Sequence, residues 1–235
     1  GVEVGDAAVP ALQKRMIRKA REKNKLAITA TQMMESMITS PIPTRAEVSD
    51  VANAVIDGTD AVMLSAETAA GQYPVEAVAA VDRVCLEAEK EAETSFSQYR
   101  LSMQFGRVDE SIAMATTYIA SHLKVKAIAA LTESGSTPLL MSRVYTDVPI
   151  YALSSDVGTR RKLTLYRGVY PVNFKPATHE REQVLLEAED ELRRRGAIRD
   201  GDLIVLTIGE PIGKSGGTNT MKIVKVGDTR KTTEK

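Results

Sequence analysis

The sequence predicts an α/β protein in two parts, each built on parallel strands. Stretches with apolar residues at helical spacing alternate with short apolar runs that end on glycine or polar residues, the pattern of helices wrapped around buried parallel strands. The alternation breaks once, from Thr94 to Val108 in "TSFSQYRLSMQFGRV", where periodicity is lost and the chain reads as a connection between domains. With 235 residues, 43% of them hydrophobic, the chain is long enough for a sizeable core without covalent staples.

In order, "VPALQKRMIRKAREKNK" from Val9 to Lys25 is a helix whose basic C-terminal half suits a helix end. "LAITA" is a short buried strand, and "TQMMESM" starts another helix that the two prolines of "SPIPTR" interrupt. "AEVSDVANAVIDG" resumes the helical pattern and stops on Gly58. Asp60 to Leu64 is a second buried strand, followed by the long amphipathic helix "YPVEAVAAVDRVCLEAEKEAE" with Pro74 in its first turn. This first part has too few strands to close a sheet architecture by itself. After the connection, "DESIAMATTYIASHLK", "PLLMSRVY", "TRRKLTLY" and "HEREQVLLEAEDELRRRG" are helices. Between and after them, "KAIAAL", "PIYAL", "GVYPVNF", "DLIVLTIG" and "TMKIVKV" are strands, and a polar tail ends the chain.

Lys and Arg total 31 and Asp and Glu 31, so no long-range field draws nucleic acid or an anionic membrane, and any anion site is local. Aromatic residues make up 4% with no Trp, which leaves little for stacking bases. No apolar run reaches the ~20 residues of a membrane span, so a cytoplasmic protein is expected. The single Cys85 lies on an apolar helical stripe and reads as a buried structural residue. His122 and His179 lack metal-ligand spacing and read as surface or helix-end residues. Met16, Met33, Met34 and Met114 read as core.

Candidate chemistry collects where strands end. "LAITATQ" brings Thr29 and Thr31, and "AVMLSAETAAG" brings Ser65, Glu67 and Thr68. Functional groups gather at such C-terminal strand ends because loops leave the core there. Ser65 and Glu67 are two apart and on a strand share a face; the same residues serve equally as caps of the following helices. In "LTESGSTP", Thr132, Ser134, Gly135, Ser136 and Thr137 lead into a helix with Pro138 as its second residue. That supplies hydroxyls and backbone N–H groups suited to one phosphate, or forms an ordinary capped turn. Neither this loop nor "GKSGG" has Walker spacing.

The continuous stretch "ITATQMMESMITSPIPTRAEVSDVANAVIDGTDAVMLSAETAAGQYPVEAV" closely resembles pyruvate kinase, and "TESGST", "LYRGVYPV", "GDLIV" and "GGTNTMKIVKV" extend the resemblance over essentially the whole chain. It resembles a bacterial member of the family, in its later half. The fold so implied is the last βα units of a (β/α)8 TIM barrel over residues 1–95. A regulatory, allosteric α/β domain with a mostly parallel five-stranded sheet follows over residues 96–235.

The resemblance implies glycolytic phosphoryl transfer from phosphoenolpyruvate to ADP, giving pyruvate and ATP, with Mg2+ or Mn2+ and K+ as cofactors of the complete enzyme. By motif, Thr31 is the hydroxyl near the enolate carbon, and Ser65 and Glu67 belong to the proton-relay network behind it. A threonine is a poor acid, so such a step needs a relay through water and titratable neighbours. In the family a metal-binding motif precedes "GVEV". The metal carboxylates, catalytic lysine, K+ ligands and most nucleotide contacts also lie upstream, so the 235 residues alone are expected to be inactive and to hold no metal. "TESGST" corresponds to the phosphate loop for sugar-phosphate activators, and Ser215, Gly216 and Gly217 lie in the loop that folds over that ligand. Members activated by a bisphosphate commonly carry a basic residue where this chain has Glu133. A carboxylate there repels a second phosphate, which favours a sugar monophosphate or AMP. Arg45 falls in a subunit-contact region, and a homotetramer is expected. The alternative is a non-catalytic phosphate-sensing and oligomerisation module, and beyond that a set of purely structural caps.

Overall fold

Two short parallel strands organise the first unit, Gly1–Ser95, of the computed structural model, which describes residues 5–30, 32–92, 104–144, 146–213 and 216–228. A 3-10 turn at Asp6–Ala8 leads into α1 (Val9–Glu22), with Pro10 in its first turn. Strand β1 (Ile28–Ala30) and a 3-10 turn (Glu35–Ile38) precede α2 (Arg45–Asp57), β2 (Ala61–Met63), α3 (Ala66–Ala69) and α4 (Pro74–Ala92). The strands pair in parallel, with Ile28 opposite Ala61 and Ala30 opposite Met63.

Local chemistry explains these boundaries. Thr44 and Glu47 form a reciprocal capping box at the start of α2, and Gly58 closes it at φ 94°, a left-handed position that glycine adopts without strain. "TQMMESM" does not make the predicted helix. Beyond its single 3-10 turn stand Pro41 and Pro43, which lack the N–H donors a continuing helix needs. Arg21 donates to the Gly58 carbonyl at 2.8 Å and Lys14 pairs with Asp57 at 2.5 Å, so two cations of α1 meet the negative C-terminal end of α2.

The core of this unit is built from Met33, Met34, Met37, Val51, Ala77 and Ala80. Met33, Met34 and Met114 are buried, but Met16 is 64% exposed, because Ile17 is the residue of α1 that turns inward. Cys85 is half-buried rather than buried and packs against the rim of this core. The strands also differ from the expectation of full burial. Ile28 and Met63 are half-exposed while Thr29 is buried, since the layer packed on these strands covers one of their faces.

The second unit, Phe96–Lys235, holds α5 (Val108–Leu123), β3 (Ala127–Leu131), α6 (Ser136–Arg143), β4 (Ile150–Ser154), α7 (Val157–Leu163), β5 (Val169–Asn173), α8 (Arg181–Arg194), β6 (Leu203–Gly209) and β7 (Thr218–Lys225). The sheet order is β5-β4-β3-β6-β7; β7 alone runs antiparallel to its neighbour. Residues of β3 and β6 alternate between two cores. Ile128, Ala130 and Val205 face Ala113 and Ala120 of α5 and Met141 of α6. Ala129, Leu206 and Ile208 face Val184, Leu185, Ala188 and Leu192 of α8. Each strand is buried on both faces, which is why β3 reads as an unbroken apolar run and β6 as one interrupted by Thr207 alone before Gly209.

The connections from β3 run one way to β4 and β5, whereas β6 lies on the other side of β3. The order reverses between β3 and β6, and that reversal opens a crevice at their C-terminal ends. Near it Gly209 makes a close approach: a Cβ there would lie 2.8 Å from the backbone carbon and oxygen of Gly217. Gly209→Ala is therefore expected to cost about 1–3 kcal/mol in urea unfolding, and an unchanged midpoint would contradict this approach.

Candidate functional site

At the C-terminal ends of β1 and β2 the central group is the Glu67 carboxylate, 3% exposed. It sits in the first turn of α3 and reaches both neighbouring loops. Oε2 accepts from the Ser65 backbone N–H at 2.7 Å, and Oε1 accepts from that of Met34 at 3.3 Å. Burial raises its pKa, but the N–H groups of Glu67, Ser65 and Met34 together outweigh that and hold it below the ordinary glutamate value. Glu67 is thus a buried anion at neutral pH. It accepts hydrogen bonds and does not store a proton.

A second carboxylate closes the arrangement. Glu47, 9% exposed, accepts from the Ser36 N–H and hydroxyl, both at 2.6 Å, and from the Thr44 N–H and hydroxyl, both at 2.8 Å. Its burial raises the pKa, and the Ser36 and Thr44 donors bring it below the ordinary value. Glu67 feels this neighbouring charge as a smaller upward push. The segment from Met34 to Ser36 is therefore held by two ionised carboxylates from different helices. Sequence reasoning passed over Glu47, although Thr44 and Glu47 show the capping-box spacing. Its bonds to Ser36 depend on the chain reversing through "SPIPTR".

Ser65 precedes α3 and is exposed, and its hydroxyl makes no capping hydrogen bond. Capping is therefore done by Glu67 rather than by Ser65. Thr68 hydrogen-bonds the Ser65 carbonyl at 3.3 Å. Thr29 is structural, donating to the Thr59 hydroxyl at 3.0 Å, while Thr59 donates to the Ala27 and Ala61 carbonyls. Thr31 lies outside the described residues. Arg45 is exposed at the first residue of α2. His122 and His179 are exposed; the His122 ring stacks on Tyr118 at a centroid distance of 4.0 Å.

The second candidate site is the crevice between β3 and β6. Thr132, Glu133, Ser136 and Thr137 line it on one side and Gly213, Gly216 and Thr218 on the other, with Ser154 and Ser155 behind. The space it encloses is about 60 Å3, room for one small group such as a phosphate, with the rest of a ligand left outside at the open mouth. The Thr132 hydroxyl accepts from the Gly135 N–H at 2.9 Å, and the Glu133 carbonyl accepts from the Thr159 hydroxyl at 2.8 Å. Gly135 stands at φ 80° before α6, which starts without a side-chain cap, so a ligand can meet the N–H groups of its first turn. α6 begins at Ser136, making Pro138 its third residue. The Thr137 and Thr218 hydroxyls bond each other at 2.6 Å, joining the start of α6 to the start of β7. Ser134 and Glu133 are exposed and Gly135 is buried; Ser215 lies outside the described residues, and Gly217 packs on Gly209.

Among the described residues no three His, Cys, Asp or Glu side chains come together to hold a metal ion. These residues do not form a divalent cation site. No described helix is long and apolar enough to cross a membrane.

The chain matches two family models: residues 1–78 match "pyruvate kinase, barrel domain", and residues 110–224 match "pyruvate kinase, alpha/beta domain". It is 54% identical over 96% of its length to pyruvate kinase II of Salmonella typhimurium, covering 47% of that protein. It is 51% identical over 89% of its length to a pyruvate kinase of Haemophilus influenzae, covering 44% of it. With a pyruvate kinase of Geobacillus stearothermophilus it shares 42% identity over 97% of its length, covering 39% of that relative. The chain thus spans about half the length, or less, of the curated relatives it matches.

The Glu67 clamp has a defined pH signature. Its folded pKa lies below the unfolded one, so its stabilisation is complete above about pH 4.3 and is lost as pH falls through the folded value. Glu67→Gln is expected to cost about 1–3 kcal/mol at pH 7, with the deficit shrinking at pH 3. An equal deficit at both pH values in urea unfolding would contradict the assignment.

Proposed function

Because this chain belongs to the pyruvate kinase family, we propose that it serves glycolytic phosphoryl transfer from phosphoenolpyruvate to ADP, yielding pyruvate and ATP in the cytoplasm. Residues 1–95 are the C-terminal portion of the catalytic TIM barrel and residues 96–235 the allosteric domain. The observation that carries this reading is the Glu67 carboxylate pinned between the ends of β1 and β2 beside the exposed Ser65. The Thr31 hydroxyl delivers its proton to the enolate carbon and is reprotonated from solvent through ordered water and Ser65. Glu67, held as an anion, keeps these donors aligned and favours positive character on the proton path. Mg2+ or Mn2+, K+ and the catalytic lysine act from parts of the complete enzyme that do not correspond to this chain, so the 235 residues alone do not turn over.

In the allosteric domain the crevice takes the phosphate of an activator on the hydroxyls of Thr132, Ser134, Ser136 and Thr137. The N–H groups that follow Gly135 assist, and the loop through Ser215, Gly216 and Gly217 closes over it. Glu133 at the rim disfavours a second phosphate, so the activator is a sugar monophosphate or AMP. Arg45 reaches a neighbouring subunit of a homotetramer. A second reading, a non-catalytic phosphate-sensing and oligomerisation module, draws on the same crevice, whose lining lies within the second unit.

A coupled assay separates these readings. In a family-length protein carrying this chain, Thr31→Val is expected to lower kcat by about 100-fold or more, whereas a module without catalysis shows no turnover to lose. Turnover by the 235 residues alone at the full-length rate would refute the division of labour. Ribose 5-phosphate, glucose 6-phosphate or AMP is expected to activate more strongly than fructose 1,6-bisphosphate; strongest activation by the bisphosphate would refute the role given to Glu133.

A further inference from the structure

The crevice proposed for a phosphate ester has hydroxyls, N–H groups and one carboxylate, but among its described lining residues no Lys or Arg. A dianionic phosphate held by neutral donors alone and facing Glu133 is poorly compensated. The nearby charge comes from another element. α5 precedes β3 through a short link and packs against β3, β6 and β7. Because it runs opposite to β3, its first residue stands at the sheet end where β3, β4 and β6 finish. That is the end where the crevice opens.

Arg107, at the N-cap of α5, is 57% exposed at its side chain. Its Nη2 lies 3.9 Å from the place a Cβ on Gly216 would occupy, and Gly216 lines the crevice. The side chain is not loose. Its Nε donates to Asp109 Oδ1 at 2.9 Å and its Nη2 donates to Asp109 Oδ2. Asp109 is itself 2% exposed and accepts from the Glu110 N–H. This pair occupies one edge of the planar guanidinium and leaves the second N–H of Nη2 and both of Nη1 for another anion, while the buried carboxylate fixes the direction of the group.

We propose that Arg107, oriented by Asp109, is the phosphate-recognising cation of this crevice, acting across Gly216 on a phosphomonoester. This rests on the reading of the crevice as a phosphate-ester site. It also accounts for the residue at position 216, where φ is 68° and a side chain would point towards the guanidinium. With Glu133 and Arg107 both near the mouth, the site carries one cation for one phosphate.

The test is calorimetric titration of the 235-residue chain with ribose 5-phosphate, with ribose as the control. Wild type is expected to bind the phosphate ester and not ribose, and Arg107→Met to bind it about 10- to 100-fold more weakly. Since that variant leaves Asp109 buried without its partner, Arg107→Met/Asp109→Asn is measured beside it and is expected to show the same loss. Arg107→Lys, which keeps the charge but not the fork, is expected to fall between. Wild-type affinity in either Met variant would overturn the role of Arg107 and leave the crevice reading standing. Absence of ribose 5-phosphate binding by wild type, with inorganic phosphate, glucose 6-phosphate and AMP equally silent, would overturn the crevice reading and this inference with it.

Discussion

The geometry of the first unit depends on keeping two ionised carboxylates in a nearly dry place. A buried carboxylate is unfavourable unless several donors converge on it. Glu67 and Glu47 meet that condition with backbone N–H groups and hydroxyls rather than with cations. The donors lie on the segments that connect strands and helices: Met34 and Ser36 at the 3-10 turn after β1, Thr44 before α2, and Ser65 after β2. Each carboxylate therefore sets a loop at a strand end, where the chemistry of such folds is done.

This arrangement assigns different tasks to neighbouring polar residues. Thr29 and Thr59 tie β1 to β2 by a buried hydroxyl pair, and Glu67 draws the ends of the two strands together. Ser65 remains with its hydroxyl outside these bonds and exposed. A residue at a strand end that spends its side chain on no cap is the one left for a ligand or water. In the second unit the corresponding opportunity arises from topology. The reversal of strand order between β3 and β6 leaves a crevice that no crossover helix covers, and the Thr137–Thr218 bond couples its two walls.

Much of this was legible in the sequence. Long periodic segments such as α4, α5 and α8, the doubly buried strands of the second unit, and the Gly58 stop all follow from spacing and residue type. Ser65, Glu67 and the "TESGST" loop stand out by their positions after apolar runs. What escaped depends on distant parts of the chain. The four residues of α3 are too few to show a period. "TQMMESM" has helical spacing, yet the prolines beyond it and Glu47 on another helix hold it as a single 3-10 turn. Met16 and Ile17 are both apolar, and only the packing of α1 decides which turns inward. Arg107 lay at the end of a stretch without periodicity, and its nearness to Gly216 depends on sheet order, which spacing does not encode.

The most direct test of the central claim is the titration of Glu67 itself, followed through its side-chain carboxyl carbon by NMR with the glutamates isotopically labelled. The clamp requires a midpoint below the ordinary glutamate value of about 4.3, with the Ser65 and Met34 amide protons shifting in step as the carboxylate is protonated. A midpoint at or above that value, or amide shifts indifferent to it, would contradict the view that an ionised Glu67 holds the two strand ends in place.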